Sequence, residues 1–401
     1  MLRSVLSPPT WASQLCSVGV TGTNGKTTTT TWLAHGLADR PGACVRITTL
    51  GVFVDAEPVV CEQSYAGVID AIDRARVAGA RFVSMEMTSE ALSKGYAKAW
   101  PCKVAVFTNL SHDHLDKHGS FEHYLASKAQ LFLALPAGGT AVLNAACESY
   151  PLLRSITPAH AKILSYAAPE RGTAEEQPFV QIDRLELDWR GTLVHYTCQE
   201  PAFPGTLRVP GFGSIFAENA VAALLGAVAA GVDPHIASER IERAPAPTGR
   251  FERIATDPDV VIDYAHTPDA LERTLRTARA LCNHRVFLVF GAGGDRDREK
   301  RPMLGAAARA ADVVILTADN PRGESPSAIA EGVRKGLADH GDVRVVLDRA
   351  DAITTALSLA GPGDLVLIAG KGHETTQQIG AEQRHFSDHE VVRAHLERMR
   401  M

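Results

Sequence analysis

Val18-Gly19-Val20-Thr21-Gly22-Thr23-Asn24-Gly25-Lys26-Thr27-Thr28 decides how this chain is read. A short apolar run enters a glycine-rich turn, and Trp32, Leu33 and Leu37 then recur at helical spacing over 27–38, so the stretch reads as strand, phosphate loop and helix. Gly22 and Gly25 let the main chain approach phosphate, the amides at the helix start point at the anion, Lys26 supplies a point charge, and the Thr27 hydroxyl suits Mg2+. Gly22, Thr23, Asn24, Gly25, Lys26, Thr27 and Thr28 are therefore the candidate nucleotide-binding segment. The spacing departs from G-x-x-x-x-G-K-[ST]: Val20 stands where that pattern has its first glycine, leaving the shorter G-x-x-G-K-T.

Working outward, the 401 residues suggest two or three domains, and 45% apolar with 22% charged residues describe a soluble globular chain. A net charge of -5 and no basic block give no electrostatic reason to expect nucleic acid or an anionic membrane. The seven cysteines are scattered and never form C-x-x-C, so neither a disulfide framework nor a structural zinc site is indicated. No signal-peptide core and no run of membrane-spanning length is present, which points to the cytoplasm. Because the phosphate loop begins within about twenty residues of Met1, no complete domain is expected ahead of it.

After the first helix, 44–53 reads as a strand, 65–80 as a helix, and 81–87 as a buried strand carrying Glu86 at its end. A carboxylate at the carboxyl end of a strand in a P-loop domain is placed to reach a metal held by the loop threonine, which makes Glu86 a candidate. The competing reading is an N-cap or surface acid opening the next helical segment. Strand 104–107 leads into a loop in which His112, Asp113, His114, Asp116 and His118 cluster, open between a metal or acid-base cluster and a solvated loop. Lys128 falls within a helix over 121–135, where an isolated lysine is ordinarily a solvated charge. Short β-rich runs over 160–210 suit an antiparallel meander at the sheet edge, and 217–230 is an alanine-rich helix with Glu218 and Asn219 as its odd polar members.

The proline- and glycine-rich stretch 244–249 marks a boundary, giving an ATP-binding domain over 1–246 and a second domain over 247–401. The second half alternates strand and helix, as in a doubly wound α/β domain, with polar clusters after the strands at 263–266, 293–297, 319–322 and 370–374. Gly291-Ala292-Gly293-Gly294 does not complete a dinucleotide fingerprint, since Arg296 replaces its third glycine.

Taken together, V-T-G-T-N-G-K-T-T (20–28), Glu86, F-T-N-L-x-x-D-H-L-D-x-H-G (107–119), Y-x-x-x-K (124–128), E-N-A-x-A-A (218–223), G-R-F-E (249–252), D-Y-A-H-T-P-D-A-L (263–271), G-G-D-R-D (293–297), D-N-P-R (319–322) and G-K-G-H-E (370–374) resemble the Mur ligases. Within that family the likeness is to the tripeptide synthetases that add a diamino acid. The resemblance implies a P-loop central domain followed by a Rossmann-like C-terminal domain, and ATP-dependent amide formation through an acyl phosphate. It implies that Lys26 and the loop amides hold phosphate, that Thr27 and Glu86 hold one Mg2+, that His114 ligates a second, and that Lys128 is carbamylated. Lys26, Glu86, His114 and Lys128 are thus the catalytic candidates, while Asn219, Arg250 and His266 match nucleotide or phosphate contacts. It further implies that Arg322 pairs with the distal carboxylate of meso-diaminopimelate, with Glu324 close behind, and that Arg296, Asp319, Asn320, Gly370 and Glu374 complete the amino-acid site. A surface arginine at a helix cap is the plain alternative for Arg322.

The departures from the family concern the acceptor. No leading UDP-binding domain is expected ahead of the loop, the T-T-P stretch is replaced around 61–65, E-V-S-S-H reads Glu86-Met87-Thr88-Ser89-Glu90, and an expected arginine is not apparent in 93–100. The expectation is therefore a carboxylate acceptor without UDP joined to an amino acid. A UDP-linked wall precursor, a polyglutamate-type reaction and a non-catalytic binding role are the alternatives.

Overall fold

The computed structural model describes residues 7–62, 64–110, 120–168 and 177–400. His112, His114 and His118 therefore lie outside the described residues. The chain divides into two compact units, one of Met1–Glu186, Gly191–Pro210 and Phe216–Pro245, the other of Leu187–Arg190, Gly211–Ile215 and Ala246–Met401. Among the described residues, no helix is long and apolar enough to cross a membrane.

The first unit is built on a sheet of eleven strands, β1 (Cys16–Thr21), β2 (Cys44–Thr48), β3 (Gly51–Val54), β4 (Glu57–Pro58), β5 (Phe82–Glu86), β6 (Val104–Phe107), β7 (Thr140–Asn144), β8 (Lys162–Ala167), β9 (Val180–Asp188), β10 (Gly191–Cys198) and β11 (Thr206–Val209). Their order is β11-β10-β9-β8-β7-β6-β1-β5-β2-β3-β4. β1, β5, β6 and β7 pair in parallel and read as continuous apolar runs because both faces are covered: Val18, Val20, Val83, Val104, Val106 and Val142 are fully buried. The register is what positions the site. Val20 lies opposite Glu86 and Thr21 opposite Phe107, so the loops after β1, β5 and β6 leave the same edge of the sheet.

One expectation is corrected here. The single strand over 44–53 is a hairpin of β2 and β3, with Thr48 opposite Gly51 and Leu50 half exposed at the turn. Gly51, at φ +132°, takes up the reversal. Within 160–210, β8 extends the parallel sheet from β7 to β9, and β9, β10 and β11 follow one another to the sheet edge with β10 and β11 antiparallel, as the expected meander has it. β9 runs unbroken through residues that read as two short runs, because exposed Asp183 and Arg184 interrupt its alternation.

The helix Ser214–Ala229 is apolar on nearly every side because it is enclosed. A Cβ at Gly226 would sit 3.1 Å from Leu33 and 3.4 Å from Val106, placing this helix against both the first helix (Lys26–Leu37) and β6. Trp32 is fully buried there, 5.9 Å from the Phe216 ring, and its indole donates to the Pro245 carbonyl.

The second unit carries a six-stranded sheet of β12 (Glu252–Thr256), β13 (Asp259–Asp263), β14 (Val286–Phe290), β15 (Val313–Leu316), β16 (Val343–Val345) and β17 (Leu365–Ala369), ordered β12-β13-β17-β14-β15-β16. All pairings but that of β12 with β13 are parallel, as a doubly wound α/β domain requires. Val260, Ile262, Phe287, Val289, Ile315, Val366 and Ile368 form its core against the helix Arg349–Leu359. Beyond the expected alternation lie β12, the hairpin of β18 (Thr376–Ile379) with β19 (Glu382–His385), and the helix Asp388–Arg400. A fully buried Arg349–Asp388 pair, with two contacts of 2.8 Å, ties that last helix to Arg349–Leu359.

Candidate active site

Gly25 caps the first helix in the left-handed region at φ +83°, and a Cβ there would fall 2.1 Å from Asn219 Oδ1. Glycine at this position is thus a matter of both backbone and space, and the buried Asn219 amide lies directly over the loop. At Gly22 a Cβ would meet Thr108 Oγ1 at 1.9 Å. The loop is fastened from β6: Asn109 accepts from Thr23 N through its carbonyl (2.8 Å) and from Asn24 N through its side chain (2.9 Å), and Thr108 Oγ1 donates to Asn24 O (2.7 Å). Behind Thr108, Asn144 Nδ2 donates to the Thr108 carbonyl at 2.8 Å and to Glu218 Oε2 at 3.1 Å. Glu218 and Asn219 thus both serve the loop, one through a relay and one by direct approach.

Lys26 Nζ donates to Thr23 O at 2.9 Å and stands 3.9 Å from Glu86. Thr27 Oγ1 donates to Glu86 Oε2 at 2.8 Å, and the Glu86 side chain is nearly buried. The helix Ser89–Ser93 is capped by Thr88, which accepts from Ala91 N, so Glu86 faces the loop and is not that helix's cap. The donor set fits Mg2+: two hard oxygens meet at the loop, and that cation binds through one or two protein oxygens while keeping water or phosphate for the rest. Among the described residues there is no group of three or more His, Cys, Asp or Glu side chains that would hold a metal by themselves. Lys128, on the helix Phe121–Leu133, is buried; its Nζ donates to Gly22 O at 2.7 Å and lies 4.4 Å from the Tyr124 ring centre. It is therefore a loop-facing lysine, not a solvated one.

In the second unit three loops close on one another. A Cβ at Gly249 would fall 2.2 Å from His373 N, Tyr264 stacks on His373 at 5.2 Å, and the Arg250 guanidinium sits 4.3 Å over the Tyr264 ring. His266 Nδ1 contacts Tyr264 O at 2.9 Å. Asp263 accepts from Phe251 N and Ala265 N, each at 2.7 Å; burial raises its pKa, while Arg250 and these bonds oppose the rise.

The structure also assembles the amino-acid candidates. Asn320 Nδ2 donates to Glu374 Oε2 at 3.3 Å, and the fully buried Lys371 reaches Glu374 (3.1 Å), Asn320 (3.4 Å) and Asp319 (3.5 Å). Gly370, at φ +112°, donates to Asp263 O. Arg322 Nη1 donates to Gly294 O at 2.8 Å, and a Cβ at Gly293 would lie 3.1 Å from that nitrogen and 3.5 Å from Arg296 Cγ. Arg322 is held at φ +50° by main-chain bonds with Gln378 and Gly380, and Ser325 caps the following helix (Pro326–Arg334). Its guanidinium is turned back toward the 293–294 loop and away from that cap.

Several of these residues were not read from the sequence. Thr108, Asn109 and Lys371 lie inside motifs that carry the resemblance but had no task of their own, and the β18–β19 hairpin gave no local signal. Glu324 accepts from Arg301 at 2.7 and 3.2 Å and from Asp295 N at 2.7 Å, and pairs with Arg298 at 3.1 Å. The Arg301 hydrogen bonds above all hold its carboxyl down at about 2. Glu324→Gln is expected to destabilise the protein by about 1.5–3 kcal/mol at neutral pH, since buried Arg301 loses its counter-charge. The lowered pKa makes this contribution complete above the ordinary carboxylate range and lost as pH falls through about 2, so urea midpoints of wild type and variant should converge in acid. Equal midpoints at pH 7 would show that the pair contributes nothing.

The profile described as Mur ligase middle domain matches residues 20–227, and that described as Mur ligase, glutamate ligase domain matches 249–372. The UDP-N-acetylmuramoyl-L-alanyl-D-glutamate--2,6-diaminopimelate ligase of Synechococcus elongatus is 41% identical over 406 residues, covering 96% of this chain and 77% of the relative. That of Thermosynechococcus vestitus is 39% identical over 396 residues, covering 95% and 77%. A solved structure of a ligase of the same name superposes with a TM-score of 0.65 at 32% identity, over 99% of this chain and 80% of that one. The folylpolyglutamate synthase of Mycobacterium tuberculosis shares the fold, with a TM-score of 0.68 at 20% identity over 90% and 89%. With both profiles together spanning most of its length and these relatives aligned over 95–96% of it, the chain belongs to the Mur ligase family of ATP-dependent, amide-forming ligases.

Proposed function

We propose that this ligase joins the amine of meso-diaminopimelate to the carboxylate of a UDP-linked muramoyl dipeptide, forming ADP and phosphate. The observation that carries the reading is the likeness, at 37 to 41% identity over nearly all of the chain, to relatives that bear this activity in their names. It replaces the expectation of an acceptor without UDP, which rested on the distance from Met1 to the phosphate loop and on altered residues around 61–65 and 86–90. Where a chain begins does not define what it binds, and the comparisons favour the UDP-linked acceptor.

In this reading the loop amides and Lys26 hold the phosphates of ATP, and Thr27 and Glu86 hold Mg2+, which when bound neutralises phosphate charge. The acceptor carboxylate attacks the γ-phosphate to give an acyl phosphate, and the amine displaces phosphate from it. Lys128 as an ammonium repels a cation. Carbamylation gives it anionic oxygens, and the N–H that a carbamate keeps still serves Gly22 O. His114 is carried over as a ligand on its motif alone, as are Asn219, Arg250 and His266 as nucleotide contacts. Scattered cysteines without C-x-x-C agree with a cytoplasmic setting.

Arg322 supplies the test of the amine. A planar guanidinium pairs bidentately with a carboxylate and lysine does not, so Arg322→Lys is expected to raise KM for meso-diaminopimelate by about tenfold to a hundredfold, leaving KM for ATP within about twofold. Lysine, which lacks the distal carboxylate, should be a poor wild-type substrate. A wild-type enzyme that prefers lysine, or an Arg322→Lys variant unaltered toward meso-diaminopimelate, would remove the amine assignment.

A further inference from the structure

Lys371 lies two residues past β17, in a turn whose flanking glycines, Gly370 at φ +112° and Gly372 at φ +53°, take up backbone conformations that side chains disfavour. Its own side chain is turned inward and is 0% exposed. A fully buried ammonium is costly unless opposite charge and hydrogen bonds compensate it. Three oxygens do so here, one for each N–H that an ammonium carries: Glu374 Oε2 at 3.1 Å, Asn320 Oδ1 at 3.4 Å and Asp319 Oδ1 at 3.5 Å. The first belongs to the loop after β17 and the other two to the loop after β15, so one side chain ties together two loops of the amino-acid site.

The tie decides which polar atoms remain for a ligand. Asn320 Oδ1 also accepts from Gln378 N at 2.9 Å, which occupies the oxygen end of the amide and leaves Nδ2 directed at Glu374, 3.3 Å away. Glu374 Oε2 thus receives both Lys371 and Asn320, and the Glu374 main-chain N–H donates to Lys371 O at 3.0 Å. The other oxygen, Oε1, belongs to a side chain that is 33% exposed. The charges are unequal, because one ammonium faces two carboxylates. Arg349, whose charge Asp319 and Glu374 also feel, is already matched by its two contacts with Asp388. One negative charge is left over, and Glu374 is where a ligand can reach it.

We propose that Lys371 is a positioning residue for the amine substrate: it cancels one of the two carboxylate charges and turns Glu374 and Asn320 so that Glu374 Oε1 receives the ammonium that does not react. meso-Diaminopimelate carries two amines, of which one attacks and the other keeps its charge. Without Lys371 the two carboxylates would share the pocket uncompensated, one would take up a proton, and neither loop would hold the other in place. Arg322 is fixed separately, by Gly294 O and by its main-chain bonds with Gln378 and Gly380, so pairing with the distal carboxylate does not depend on Lys371. The inference rests on the proposed amine and adds to it the residue through which Glu374 discriminates.

The test is steady-state kinetics of the full chain, with ATP and the UDP-linked dipeptide, on three amines: meso-diaminopimelate, 2-aminopimelate, which lacks the second amine, and lysine, which lacks the distal carboxylate. The wild type should favour meso-diaminopimelate over 2-aminopimelate by about tenfold to a hundredfold in kcat/KM, the scale of a charge-assisted hydrogen bond. Lys371→Met keeps the stem and removes the charge. It should bring that preference to within about threefold by raising KM for meso-diaminopimelate, with KM for ATP within about twofold and the preference over lysine kept. Should this variant fail to fold for want of a counter-charge, Lys371→Met combined with Asp319→Asn restores the net charge of the cluster. Measured against Asp319→Asn alone, it should show the same selective loss. A folded variant that keeps the wild-type preference over 2-aminopimelate, or that loses both preferences together, would reduce Lys371 to a structural lysine and overturn the proposal. So would a wild type that does not distinguish meso-diaminopimelate from 2-aminopimelate. A wild type that turns over no diamino acid would instead overturn the amine reading, and the wild-type assay alone separates that failure from the others.

Discussion

Lys128→Ala should lower the rate of ADP formation by about a thousandfold or more, the scale seen when a group that stabilises transition-state charge is removed. Two accounts of this lysine make different secondary claims. If it serves as a carbamate, the variant keeps most of its affinity for ATP and loses turnover, and added formate or acetate restores part of the rate by supplying an oxygen ligand. If its hydrogen bond to Gly22 O is its whole task, the loop loosens, ATP affinity falls with turnover, and short carboxylates do nothing. We expect the first pattern. Wild-type turnover in Lys128→Ala would remove the residue from the mechanism altogether.

Glu86→Gln is the second large effect, expected at about a hundredfold in kcat. The amide has the shape of the carboxylate and still accepts from Thr27, so the fold and the first helix should be unaffected. What disappears is the negative charge beside Lys26 and Thr27. The Mg2+ concentration needed for half-maximal activity should rise together with the fall in kcat, because a neutral oxygen is a weaker ligand for a hard cation. A kcat within about threefold of wild type at unchanged Mg2+ demand would mean that Glu86 only orders the loop.

Local chemistry was legible where neighbours in sequence are neighbours in space. Gly25, Lys26 and Thr27 declare a phosphate loop within a few residues, and Glu86 was readable because parallel pairing puts strand ends on one edge, here Val20 opposite Glu86. What stayed hidden depends on distant partners. Thr108 and Asn109 grip Asn24 across more than eighty residues, and nothing in their own surroundings announces it. Lys371 is an ordinary glycine-flanked lysine until the fold buries it beside Asp319 and Glu374. The β2–β3 turn at Thr49-Leu50 lacks the Asn-Gly or Gly-X chemistry that marks two-residue hairpins, so two strands read as one. β18 and β19 are short, polar and without an apolar face, yet β18 and the turn after it hold Arg322 in place through Gln378 and Gly380.

The most direct test is ADP release and product mass when the enzyme receives ATP, Mg2+, meso-diaminopimelate and UDP-N-acetylmuramoyl-L-alanyl-D-glutamate. The same reaction with L-alanyl-D-glutamate lacking UDP is its control. ADP should appear in step with an amide product of the UDP-linked acceptor, dependent on all three substrates, with at most a small fraction of that rate for the bare dipeptide. Equal turnover of the dipeptide without UDP would contradict the acceptor assignment, and no ADP with either acceptor and any diamino acid would contradict the proposed reaction itself.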